Sequence, residues 1–382
     1  MNLPSCQGPS EDNRVYPFAS AKQVAKDVSG SFVEEEKSRV DYQSFIPFLS
    51  PTALAMHFAK NIFPCLLLSA LTEAANLRPQ WVHFDSNGIS LAAHLYVPPT
   101  NSTLNTSRPA IVVGHPHGGV KEQTSGLYAR QIAERTGFVT LAFDAAYQGE
   151  SGGLPRYLEN PYQRADDVRN AVTYLSTLES VDPNRIGALG VCASGGYVPF
   201  AAQTDKRIKA VATVSGIDLG TLYSEGFGNY GGPMQDGLRD QLLEAGRQRI
   251  REEETGKTNL TRIFPQTAAD VRPDMPVFYQ QSYDYYQTPR GHVETAPNWH
   301  LWRSLDLIAT YRSYAYMQLI SPRPLLMIAG SDADTLYFSQ VAIEQAQEPK
   351  ELYIIPGLSH IDLYDHTNRS APKLADFFRT HL

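Results

Sequence analysis

The stretch Arg185–Tyr197, RIGALGVCASGGY, constrains this chain more than any other. Its apolar run (Ile186, Ala188, Leu189, Val191) stops at Cys192, and a cluster of small residues follows. That is the pattern of a buried strand feeding a tight turn and then a helix. In such a turn a nucleophile flanked by small residues two positions away is held in a strained backbone conformation and lifted clear of the sheet edge. Gly190 and Ser194 flank Cys192 at that offset. The turn aims the Ala193 N–H at whatever the thiol binds, and the start of the following helix favours a thiolate. Ser194 offers a second frame, flanked by Cys192 and Gly196. Cys192 is preferred because it directly follows the last strand residue and has the least hindered neighbour before it. A free cysteine taken alone most often packs as a small hydrophobe, and what sets Cys192 apart lies downstream.

Around this stretch strands alternate with helices. WVHFDSNG from Trp81 and ISLAAHLYVPP from Ile89 read as an antiparallel pair joined at Ser86-Asn87-Gly88. A buried strand from Pro109 ends at His115, and another, Val139 to Phe143, ends at Asp144. Helices are expected over Leu127–Arg135, Tyr162–Glu179 and Gly195–Gln203, and a further strand over Lys209–Val214. This rhythm means βαβ crossovers and a mostly parallel sheet, whose ligands bind beyond the carboxyl ends of the strands. The rhythm breaks from Leu219 to about Ile320, a stretch rich in tyrosine with a charged helical segment at Arg247–Glu254. It resumes with strands at Leu325–Ala329 and Leu352–Ile355 and a last helix from Ala371. The expected domains are an N-terminal helical extension over 1–80, a core over 81–218 and 321–382, and a lid over 219–320. The extension could cover the site mouth or form a homodimer contact.

A weak nucleophile needs a base, and the base needs an orienting group. Asp332 and Asp334 follow one strand in GSDADT, and His360 follows the next in PGLSHIDL. Cys192, Asp334 and His360 therefore stand in that order on one rim. His360 would take the thiol proton while an aspartate holds its imidazole. Asp334 is the first choice for the acid, with Asp332 and Asp218 as competitors, although an aspartate after a strand can equally cap the next helix. The oxyanion needs two donors. The Ala193 N–H is one, and the His117 or Gly118 N–H in HPHGGVKEQ is the other.

Composition narrows the class. A net charge of −7 without a basic block argues against a nucleic-acid partner. Three scattered cysteines among 382 residues make no disulfide framework and suit a reducing, cytoplasmic setting. The apolar stretch Ile62–Leu71 is too short to span a membrane. His115 and His117 lack further ligands at metal spacing, so no metal is expected, and the G-x-G-x-x-G cofactor pattern does not follow the first strands.

The runs GVCASGGY and HPHGGVKEQT, with the Gly-x-x-His loop near the end, make the chain resemble the α/β-hydrolase superfamily. It is most similar to the dienelactone-hydrolase-like and DltD-N-terminal-like subgroup, which includes fungal polyketide transferases. The resemblance covers roughly residues 81–382. It implies an eight-stranded, mostly parallel sheet with helices on both faces and an inserted lid. It also implies a cysteine in a G-x-C-x-G-G turn, matching Gly190, Cys192 and Gly195, with Ser194 in place of the first glycine of that pair. The expected activity is hydrolysis or transfer of an ester, lactone or thioester, with a small-molecule acyl substrate, on a Cys-His-Asp triad. Two rivals stand beside it: a serine esterase or peptidase using Ser194, and a non-catalytic ligand-binding protein on the same fold. The aromatic lid suits a bulky apolar acyl group or simply its own core.

Overall fold

A computed structural model describes residues 77–99 and 107–382. The expectations for the first 76 residues lie outside the described residues. Strands β1 (Gln80–Ser86) and β2 (Ile89–Tyr96) form the expected hairpin. Its turn uses Asn87 and Gly88, both at positive φ (55° and 81°), the pair of conformations that matches strand twist in a two-residue hairpin loop. The other sheet strands are β3 (Arg108–Gly114), β4 (Val139–Phe143), β5 (Val181–Val191), β6 (Ile208–Val214), β9 (Leu325–Gly330) and β10 (Lys350–Ile355). They lie in the order β1-β2-β4-β3-β5-β6-β9-β10. Pairing is antiparallel as far as β4 and parallel across the rest.

The helices are α1 (Thr124–Thr136), α2 (Pro161–Ser176), α3 (Ser194–Thr204), α4 (Leu219–Glu225), α5 (Leu238–Thr255), α6 (Val277–Gln287), α7 (Leu305–Ile308), α8 (Leu336–Gln345) and α9 (Ser370–His381). Successive strand residues face opposite sides of a sheet. A side chain at Gly187 would strike Phe378 of α9, while one at Gly190 would strike the backbone of Ser194 in α3, 1.9 Å away. The central strand is therefore covered on both faces, and Gly190 is required by the close approach of α3. Hydrophobic side chains along β3–β6 and β9 are almost all fully buried, as a doubly covered parallel sheet demands.

Residues 219–320 contribute no strand to this sheet. They carry α4–α7 and a separate two-stranded pair, β7 (Leu260–Arg262) with β8 (Trp299–Leu301). Their aromatic residues pack on one another and on the sheet domain: Phe264 stacks on Tyr286 at 4.9 Å, and Phe278 meets the His360 ring edge-to-face at 4.6 Å. The rings of this tyrosine-rich stretch form a core with one another and with the sheet domain. Among the described residues no helix is long and apolar enough to cross a membrane.

Candidate active site

Cys192 is the one residue between β5 and Ala193 that the chain bends around, and it stands at φ +57°. A non-glycine residue there is strained and persists only where its surroundings force it. They do so here by backbone bonds. The Cys192 N–H donates to Val214 C=O at 3.0 Å, and its C=O accepts from Gly195 at 2.8 Å and Ile217 at 3.0 Å. The sulfur faces the N–H groups of Ala193 and His117 and the hydroxyl of Tyr364. Burial pushes the thiol up to about 11, against the pull of those three donors and of the Arg164 charge.

Ser194, the alternative nucleophile, begins α3 and points the other way. Its hydroxyl donates to His115 C=O at 2.6 Å, in the layer between α3 and β3. It is a helix-to-strand tie.

His360 is fully buried in the loop after β10. Its Nδ1 lies 2.6 Å from Thr335 Oγ1, and its backbone C=O accepts from the Ser215 hydroxyl at 3.1 Å. With the proton on Nδ1, Nε2 is left as an acceptor. Burial lowers the imidazole to about 3, so the ring is neutral.

The expectation of an aspartate on Nδ1 is corrected by this geometry. Asp334 Oδ2 instead accepts the Phe278 N–H at 3.0 Å. Helix α6 begins after Pro276 with no capping side chain of its own, and the Asp334 carboxylate supplies the cap from another part of the chain. Asp332 is exposed and accepts from the Ser331 hydroxyl at 2.7 Å. Asp218 is buried before α4 and accepts from the Thr221 hydroxyl at 3.1 Å and from Ser313. All three candidates serve helix starts or turns.

His115 and His117 part company. The His115 ring is saturated: Nε2 accepts from the Ala145 N–H at 3.0 Å and from Arg164 at 2.7 Å, and Nδ1 donates to Pro116 C=O at 2.7 Å. His117 lies beside the cavity with its ring against His300 and Tyr223, at 5.1 and 6.2 Å. Its Nε2 is 3.9 Å from Glu159 Oε2, and neither atom has a hydrogen-bond partner. Glu159 is anchored through its other oxygen, which accepts from the Tyr197 hydroxyl at 2.7 Å. Gly118, the other oxyanion candidate, stands at φ +68° and gives its C=O to Asn298 at 3.0 Å.

Among the described residues one carboxylate trio, Glu122, Asp144 and Glu150, is close enough to share a cation. Lys121 already sits among them, its Nζ 2.6 Å from Glu122, 2.9 Å from Asp144 and 2.6 Å from Glu150. Its ammonium occupies the position a cation would take.

A narrow cavity opens on Cys192 and His117. Its other walls are apolar or aromatic, with Ile217 from the sheet side and Leu219, Leu222, Ile263, Phe264, Phe278 and Tyr279 from the inserted segment. Tyr223, Ile263 and Tyr279 also line a second pocket, which adds Gln241, Thr261, Arg262, His300 and Trp302. Sequence reasoning missed Thr335, Tyr364, Glu159 and His300. Tyr364 alone left a trace, standing four residues after His360 at the end of the short helical turn Asp362–Tyr364.

The profile of the X-Pro dipeptidyl-peptidase (S15) family matches residues 87–305. The crystal structure of hypothetical protein PA2218 from Pseudomonas aeruginosa superposes with a TM-score of 0.74 at 39% identity, over 81% of this chain and 95% of that one. The α/β hydrolase GrgF from Penicillium sp. shares the fold, with a TM-score of 0.65 at 22% identity over 80% of this chain and 99% of that one. Acyltransferase drtE from Aspergillus calidoustus is 28% identical across 67% of this chain and 80% of its own length.

Proposed function

We propose, for a chain that belongs to the X-Pro dipeptidyl-peptidase (S15) family, that it carries an acyl group on Cys192 and passes it to water or an alcohol. Hydrolase or acyltransferase activity on this fold is the coarse reading; a thiol nucleophile and an acyl thioester intermediate are the finer one. The observation that carries it is Cys192 at φ +57°, with two backbone N–H groups turned toward its sulfur and a cavity opening on it.

The chemistry follows from the protonation states. A thiol raised to about 11 is neutral at pH 7. Ionising it without help would cost about 5 kcal/mol, four units at about 1.36 kcal/mol each. The proton is therefore taken as the sulfur attacks, with the neutral His360 as final acceptor. The sulfur bonds to the carbonyl carbon, and the C=O electron pair moves onto oxygen beside the Ala193 and His117 N–H groups. The tetrahedral species collapses by breaking the bond to the leaving oxygen or sulfur, which leaves with the proton held by the imidazolium. Water or an alcohol then repeats the attack on the thioester and frees Cys192. Thr335 holds Nδ1 throughout, so that Nε2 stays turned to the reaction. The apolar cavity receives the acyl chain, and a chain longer than that cavity extends past Tyr279 into the second pocket.

Ser194 is a poor alternative for a geometric reason. Its hydroxyl is committed to His115 C=O on the face away from the cavity. Turnover of an aryl thioester tests the choice. Cys192→Ala should lose about 10³-fold or more, while Ser194→Ala stays within about ten-fold. The reverse pattern would move the nucleophile to Ser194.

A further inference from the structure

The imidazole of His360 does not line the cavity that reaches Cys192. Phe278 covers one side of it. The group beside its free nitrogen is the Tyr364 hydroxyl, 3.4 Å from Nε2. That same hydroxyl meets the Cys192 sulfur and the Tyr286 hydroxyl. Tyr364 is fully buried, and its ring is wedged edge-on between Tyr285 at 5.0 Å and Tyr286 at 6.2 Å, both from α6. Its backbone C=O accepts from the Thr124 hydroxyl at 2.9 Å. Backbone and ring are thus both fixed, and the hydroxyl stands beside both the sulfur and the imidazole.

We propose that Tyr364 is a proton relay between Cys192 and His360, a catalytic residue that the three-residue scheme omits. The inference rests on Cys192 being the nucleophile. As sulfur attacks the carbonyl carbon, the S–H proton passes to the Tyr364 oxygen, and the proton of that oxygen passes to Nε2. No net charge stays on the tyrosine. On collapse the imidazolium returns a proton along the same path, and the leaving oxygen or sulfur departs neutral. A long hydrogen bond of 3.4 Å in the empty site is the ordinary condition for a catalytic contact that tightens when substrate arrives. Burial holds the phenol well above its usual range, so the relay passes protons in concert and never stores a tyrosinate.

The test is pre-steady-state acylation of the full chain by an aryl thioester, in H2O–D2O mixtures, for wild type, Tyr364→Phe and Tyr286→Phe. Tyr364→Phe keeps the ring and loses only the hydroxyl. It should acylate about 10²-fold more slowly at neutral pH, the typical size of one lost proton-transfer group, with substrate affinity within about two-fold. The deficit should shrink as pH rises toward the ionisation of the thiol itself. The rate should depend on deuterium fraction along a curve in wild type, two protons moving, and along a straight line in the variant. Tyr286→Phe, which leaves the relay atom in place, should lose only a few-fold. Tyr364→Phe acylating at the wild-type rate with the same curved dependence would overturn the relay and leave the nucleophile standing. A wild-type protein that turns over with no acyl group on Cys192 would overturn both.

Discussion

The two sides of the site are built by different means. On the nucleophile side the residues that form the turn are contiguous in sequence. Gly190 admits α3, Cys192 takes the positive φ, and the bonds from Val214, Gly195 and Ile217 fix the turn. On the base side nothing is local. His360 is held through Thr335 from the loop after β9, through Ser215 at the end of β6, and by the Phe278 ring of the inserted segment. Asp334, adjacent in sequence to Thr335, is drawn off to cap α6. A helix start without its own cap competes for a nearby carboxylate, and here it takes the one that spacing alone assigns to the imidazole. The contrast teaches that a strained turn can be recognised from its own residues, whereas a hydrogen-bond partner depends on what else in the fold lacks one.

Substitutions can break or sharpen this contrast. The largest effect should come from His360→Ala, which removes the proton acceptor and should lower acylation by about 10³-fold, within the range of general base catalysis. Thr335→Val keeps the shape and removes the Nδ1 partner. Misdirecting the imidazole should lower kcat by about 10²-fold with little change in KM, measured by steady-state turnover of an aryl thioester. Asp334→Asn should do much less. The amide oxygen still accepts the Phe278 N–H, so turnover should stay within about three-fold while stability falls by about 0.5–1 kcal/mol through the lost charge at the helix start. If Asp334→Asn instead matched His360→Ala, the carboxylate would be the orienting acid and the contrast would fail.

A smaller, pH-dependent effect separates the sides again. Burial holds His117, His300 and His360 neutral, each lowered to about 3. In the unfolded chain they titrate near 6.5. Between those values the unfolded state binds more protons, so stability rises with pH and is lost on acidification below about 6.5. Each of these histidines contributes up to about 1.4 kcal/mol per pH unit. Denaturant midpoints at pH 5 and pH 7.5 check this, and His300→Phe should flatten the slope. The same neutrality means that the base needs no deprotonation at pH 5, so the acid limb of the rate profile should lie well below that of a free imidazole. A limb at 6.5 would show an exposed, ordinary His360.

How much of this was legible follows the same division. The sheet strands, the helices between them and the hairpin turn at Asn87-Gly88 were readable because period and turn chemistry are local signals. The inserted segment was not. Helix α5 runs from Leu238 to Thr255, yet only its charged end at 247–254 reads as helical. Helix α6, VFYQQSYDYYQ, spreads aromatic residues around the helix because it is buried against both the sheet domain and its own segment. Its period therefore carries no clear face. In the site, the strained turn at Cys192 with the Ala193 and His117 N–H groups beside its sulfur follows from strand ends and small residues. Thr335 and Tyr364 act through contacts between distant elements, and their residue types carry no catalytic signature in a sequence.

The central claim is an acyl group carried on sulfur at position 192. Pulse the wild-type chain with an aryl thioester, quench it in acid, digest it and read the peptide masses. The account predicts one adduct, of the acyl mass, on the peptide containing Cys192 and assigned by fragmentation to the cysteine. The same acyl mass assigned to Ser194, or turnover with no adduct on either residue, would contradict it.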